Sequence, residues 1–234
     1  MGCSALLYLG ARETSVFAIR TVAVRGASPA VAAEVRRALR PLEGTSLLQL
    51  GTGDVDRRLA ALPDVASARY DRAFPHTLTV YVVPERSVAV LRRGAGSWLV
   101  SARGRVLRPV PHGALPALPR IWVAAGTDLP AGTTLAPDSG ARAAAALAVA
   151  RRVGFRAAIG NVTIEGSTLA FKLRSGLELR LGTANDLALK LAVAVRILPI
   201  VGNGATYLDV SVPSRPVAMA SAAVATNPQV GGGG

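Results

Sequence analysis

Leu78, Val80 and Val82 alternate with Thr77, Thr79 and Tyr81, the two-residue period of a strand with one buried face. Residues 65–70 read as a second strand and 71–76 carry turn signals, so 62–86 predicts a hairpin. Pro75 has no backbone donor and belongs outside the ladder, while Phe74 beside it is placed to close over the end of an apolar core. Upstream, 17–26 reads as a first strand. Phe17 and Ile19 share one parity and Val22 and Val24 the other, so this strand bulges near Arg20 and Thr21 or begins late. Ser28 is a helix N-cap, Pro29 fits the first helical position, and Val31, Val35 and Leu39 follow at helical spacing until Pro41 stops the run. A second helix over 52–62 buries Val55, Leu59 and Leu62. The order strand, helix, helix, strand, strand predicts a three-stranded sheet covered on one face by two helices. About seventy residues bury only a thin core, so this unit is expected to lean on the rest of the chain.

The second part is richer in strands. Residues 88–107 give three short strands separated by turns at Gly94 and Gly104, with Trp98 and Val100 on one face. Pro109, Pro111, Pro116 and Pro119 make 108–120 an extended connection, and 121–123 adds a strand. An alanine-rich helix over 141–153 presents Ala143, Leu147 and Ala150 to the sheet. Across 162–181 a meander keeps its apolar residues on one face. A two-residue loop at Gly166 and Ser167 pairs Ile164 with Leu169 and Val162 with Phe171. A three-residue loop then pairs Leu173 with Leu179 and places Arg174 opposite Glu178. Asn185 or Asp186 caps a helix whose stripe is Leu187, Leu191, Ala194 or Val195, and Leu198, with Pro199 as its stop. The last strand, 206–212, sends Tyr207, Asp209 and Ser211 to one face and Leu208, Val210 and Val212 to the other. Pro213 and Pro216 end it, and the small-residue tail over 217–234 shows no periodicity and reads as disordered.

A net charge of +13 raises nucleic-acid binding as one reading, since clustered cations neutralise phosphates. The clustering is missing along the chain: Lys172 and Lys190 are the only lysines, and the arginines stand singly or in pairs. Nucleic-acid binding is therefore the alternative, not the first reading. A surface near anionic lipid headgroups is a milder one. Residues 1–10 are apolar but offer about half of the roughly twenty residues that a bilayer span needs.

Candidate chemistry is sparse. Gly51, Thr52 and Gly53 open a helix after an apolar run, but Asp56 stands where a dinucleotide-binding turn needs its third glycine. His76 and His112 both fall in turns or loops, where a solvated role is expected. Asp54 and Asp56 complement a helix start. Cys3 is alone and supports neither a disulfide nor a cysteine metal site. No catalytic constellation, cofactor site or metal site is expected.

One run of words is more specific than any of these. Leu62 and Pro63, Val65, Arg72, Phe74 and Pro75, Thr77 and Leu78, Val80, Val82, then Glu85 and Arg86 resemble the end of the POTRA domain of the FtsQ/DivIB family of bacterial cell-division proteins. Tyr70 stands where an aliphatic is more usual, and Pro84 precedes the Glu85 and Arg86 pair where a proline after it is usual. The stretches 102–107 and 118–121, the meander, the helix after it and 207–216 are similar to that family's second, beta domain.

The resemblance implies an α+β chain: 1–14 a remnant of a membrane anchor, 15–86 a POTRA domain with order βααββ, 87–216 a mixed α/β domain whose antiparallel meander sheet is covered by helices, and 217–234 the tail. It implies a non-enzymatic, membrane-anchored scaffold of the divisome, single-pass, with its globular part on the extracytoplasmic side at the division septum. No small-molecule substrate and no nucleic acid are implied. Its partners would be small bitopic division proteins of the FtsB/DivIC and FtsL kind, met by strand addition. A terminal strand bounded by prolines reads as a sheet edge. Tyr207, Leu208, Asp209, Val210, Ser211 and Val212 are accordingly the expected partner-binding residues, with Tyr207, Asp209 and Ser211 setting specificity. A POTRA-bearing outer-membrane assembly factor would need tandem domains or barrel strands, and neither pattern is present.

Overall fold

The computed structural model describes residues 15–111, 114, 116–201 and 204–220. The membrane-anchor expectation for 1–14, and His112, lie outside them.

The first core belongs to a three-stranded sheet of order β1-β3-β2, with β1 Thr21–Arg25, β2 Val65–Ala73 and β3 Thr77–Pro84. β1 runs parallel to β3 and pairs Val22 with Leu78 and Val24 with Val80; β2 is antiparallel to β3. The parity break upstream resolves as a late start. Ser15–Phe17 form a 3-10 turn and Ala18 makes an isolated bridge to Ser46 before β1 begins. Helices α1 (Pro29–Leu39) and α2 (Thr52–Ala60) cover one face and bury Val31, Val35, Leu39, Val55 and Leu59. Ser28 caps α1 through its side chain, which accepts from the Val31 amide. Leu62, expected in the buried stripe, falls beyond the end of α2 and is half-buried.

Two expectations at the hairpin tip need correction. Phe74 does not close the core: it is 53% exposed and meets Phe17 edge-on at 5.6 Å, because the 3-10 turn brings Phe17 beneath the tip. Nor is His76 simply solvated. Its carbonyl accepts from the Arg20 and Thr21 amides at 2.9 and 3.2 Å, and its Nδ1 lies 3.2 Å from the Ala18 carbonyl, so it ties the tip to the entry of β1.

The second core belongs to a nine-stranded mixed sheet of order β12-β11-β10-β9-β8-β7-β4-β5-β6, whose last two strands in the chain are β11 (Ala205–Asp209) and β12 (Val217–Ala220). β4 (Ser87–Arg93), β5 (Gly96–Ser101) and β6 (Val106–Pro109) form an antiparallel meander. β7 (Arg120–Trp122) is parallel both to β4 and to β8 (Ile159–Glu165). β9 (Thr168–Leu173) and β10 (Glu178–Gly182) complete a second meander. Helices α3 (Arg142–Arg152) and α4 (Leu187–Val201) pack on one face over Leu91, Ile121, Val162, Phe171, Leu179 and Leu208.

The β8–β9 hairpin has the register its parity demands, with Ile164 opposite Leu169, Val162 opposite Phe171, and Gly166 in the turn at φ +58°. The next hairpin is displaced by two residues. Leu179 pairs with Phe171, not Leu173, and Glu178 pairs with Lys172, so the expected Arg174–Glu178 pair does not form. The turn instead closes early, with the Leu173 amide donating to the Leu177 carbonyl, and Glu178 binds Arg180 at 2.8 Å. Pro199 does not stop α4, which runs on to Val201. The carbonyl it deprives of a donor, that of Val195, is in a partly wet last turn. Asp186 precedes α4 with φ +52°, and its carbonyl accepts from the Lys190 amide.

The first unit does lean on the second. Arg108 Nη1 reaches Asp64 Oδ2 at 3.0 Å, Arg105 Nη2 donates to the Ala60 carbonyl at 2.9 Å, and Arg103 approaches Glu85 at 4.0 Å.

Candidate partner-binding surface

The last predicted strand is in place but shorter than expected. β11 spans Ala205–Asp209, so Val210, Ser211 and Val212 lie beyond it. It runs parallel to β10, with Glu178 opposite Tyr207, Leu179 opposite Leu208 and Arg180 opposite Asp209.

β11 is not the rim. After Val212 the chain turns, the Arg215 amide donating to the Val212 carbonyl at 3.0 Å, and β12 (Val217–Ala220) returns antiparallel along the far side of β11. Tyr207 then faces Met219, Leu208 faces Ala218 and Asp209 faces Val217. The expectation that residues 206–212 form an open edge is corrected by this, as is the expectation that the tail has no structure from 217 onward. Prolines at 213 and 216 shape the reversal. An unpaired strand edge is a template strong enough to order a run as weak in propensity as Val-Ala-Met-Ala. Residues 221–234 lie outside the described part.

The six expected partner-binding residues therefore divide. Leu208 and Val210 are fully buried beneath the helices, where no second chain reaches them. Tyr207 and Asp209 face the side of the sheet that carries no helix. The Arg180 guanidinium lies 4.2 Å above the Tyr207 ring, and the Glu178 hydrogen bond raises the Arg180 pKa further above its usual value. Asp209 Oδ1 accepts from the Ser211 amide at 2.8 Å. Ser211 packs where β10 ends: a Cβ on Gly182 would come within 2.8 Å of the Ser211 Cβ. Val212 is 53% exposed in the turn. β12 itself has Val217 and Met219 more than half exposed, and among the described residues no strand lies on its outer side.

Residues 17–85 match the description "POTRA domain, FtsQ-type" and residues 89–211 match "Cell division protein FtsQ/DivIB, C-terminal". The second match alone covers more than half of the chain. The chain belongs to the FtsQ/DivIB family of cell division proteins.

Curated relatives agree with that placement. The chain is 32% identical over 104 residues to Cell division protein FtsQ of Mycobacteroides abscessus, covering 44% of this chain and 32% of the relative. It is 34% identical over 110 residues to Cell division protein FtsQ of Mycobacterium leprae, covering 47% and 32%. The aligned part thus spans about a third of the length of the curated relatives it matches. The two FtsQ/DivIB matches coincide with the two sheets, and β12 falls just past the end of the second. β12 had no signal in the sequence beyond the prolines before it. No helix among the described residues is long and apolar enough to cross a membrane. Among those residues no group of His, Cys, Asp and Glu is placed to hold a metal ion.

Proposed function

We propose that this FtsQ/DivIB chain is a non-enzymatic scaffold of the divisome, membrane-anchored with its globular part outside the cytoplasmic membrane at the septum. In this reading it recruits or links small bitopic partners of the FtsB/DivIC and FtsL type by strand addition at the C-terminal edge of its larger sheet. The observation that carries the reading is the outer side of β12, at the rim of the nine-stranded sheet with Val217 and Met219 exposed. An extended segment laid there gains main-chain hydrogen bonds, and the alternate side chains read its neighbours. Tyr207, Asp209, Ser211 and Val212 serve as side-chain contacts beside that seam, while Leu208 holds β11, and Val210 the segment just after it, to the core.

A proline scan across Val217, Ala218 and Met219 tests this, because only alternate amides of β12 point outward. At one of these positions proline leaves the β11–β12 ladder intact and removes an outward donor. The expected result is about a tenfold or greater loss of capture of a partner's extracytoplasmic segment, at an unchanged melting temperature. Parental capture by all three folded variants sinks strand addition at this edge.

A further inference from the structure

The helix-free face of the large sheet carries a cluster of cations that is invisible along the chain. Register places Arg120 of β7 beside Asn161 of β8, and Asn161 beside Lys172 of β9. Arg174 follows at the end of that row, its Cγ 3.6 Å from where a Cβ on Gly160 would stand. These residues line a hollow of about 710 Å³ walled by Pro116, Ala117 and Leu118. Among the described residues no carboxylate comes within ion-pair distance of Arg120, Lys172 or Arg174.

Trp122 stands in the same hollow with 58% of its surface exposed, an unusual position for the most costly side chain to leave wet. Arg92 lies over its ring at 5.5 Å, with a buried Nε that finds no acceptor. The hollow runs into a second of about 650 Å³, with Asn161 and Lys172 lining both. That second half is of mixed charge: Thr163 and Arg180 line it together with Glu165, Glu178 and Asp209.

We propose that this face binds a carboxylated saccharide chain, the Trp122 ring stacking on a sugar face while Arg120, Lys172 and Arg174 take its carboxylates. Guanidinium and ammonium groups with no internal partner favour an anion. A flat exposed indole favours a ring with an apolar face, and Asn161 and Thr163 both donate and accept as hydroxyl groups require. A polyglutamate chain has no ring to stack on Trp122, and a phosphodiester chain lacks the dense ring hydroxyls that Asn161 and Thr163 would bind. A uronate chain has both on every sugar, and its hydroxyl groups can donate to Glu165, Glu178 and Asp209 while its carboxylates meet the cations. This face lies beside the β12 edge but does not depend on strand addition there.

The test is calorimetric titration of the full chain with tetragalacturonate, alongside its methyl ester, an oligothymidylate and a short polyglutamate. The galacturonate is expected to bind, and Trp122→Ala and Lys172→Glu each weaken it about tenfold or more. Arg25→Glu, on β1, leaves binding unchanged, and the ester binds about tenfold more weakly or worse. All these side chains are exposed, so melting temperatures should match the parent. Absence of binding at several millimolar galacturonate overturns the proposal, as does binding insensitive to Trp122 and Lys172. Tighter, Trp122-dependent binding of the oligothymidylate or the polyglutamate also overturns it, assigning the face to nucleic acid or to an acidic peptide.

Discussion

Arg108 Nη1 lies 3.0 Å from Asp64 Oδ2 and so joins β6 of the large sheet to the segment leading into β2 of the small one. The two ends of this pair are unequal: the Asp64 side chain is 9% exposed and that of Arg108 60%. Deleting the arginine strands a nearly buried carboxylate, whereas deleting the aspartate releases a guanidinium that is already largely hydrated. Arg108→Ala is therefore expected to cost about 1–3 kcal/mol and Asp64→Ala under about 1 kcal/mol. Urea unfolding of both single variants and the double variant checks the asymmetry; equal costs would contradict it.

Gly104 and Gly44 share a left-handed backbone, with φ of +77° and +85°, but not their surroundings. A Cβ at Gly104 would fall 2.6 Å from the Ala141 Cβ, just ahead of α3, while one at Gly44 would meet nothing within 4 Å. Gly44→Ala is expected to cost the backbone penalty alone, about 1–2 kcal/mol. Gly104→Ala adds a steric clash that backbone movement must relieve, for about 2–4 kcal/mol. Thermal melts of the two variants side by side separate conformational strain from crowding.

Tyr70 pairs with Val80 on the helix-covered side of the small sheet and packs against its core. Burial raises its pKa above the usual 10.0, and the nearby Asp56 carboxylate raises it further. Its folded pKa is above its unfolded one, so the folded state holds that proton longer. The associated stability is complete below about pH 10 and is lost as pH rises through the folded value. A spectrophotometric alkaline titration should show Tyr70 ionising late. Tyr70→Phe should remove that late component and flatten the alkaline decline in stability.

Local chemistry made much of this architecture readable from the chain. Ser28 followed by Pro29 announces α1, and parity across Gly166 and Ser167 leaves the β8–β9 hairpin one sensible register. Parity fails at the next hairpin because it fixes a register only modulo two. Leu179 has the same facing whether it meets Leu173 or Phe171, and the hydrogen bond from Leu173 to Leu177 decides between them. β12 was hidden because an edge template, not its own residues, orders it. The cation cluster was hidden for a different reason. Arg120 and Lys172 are some fifty positions apart in the chain, and only the β7–β8–β9 register makes them neighbours.

β7 has only three residues, yet its ladders are all that link β4 to β8 within the sheet. A fragment ending before Arg120 would keep the first meander but leave one flank of β4 bare, inviting another molecule to fill it. Expression boundaries drawn inside the larger unit would thus expose an adhesive flank, because the ladders on either side of Ile121 are what join the two meanders into a single surface.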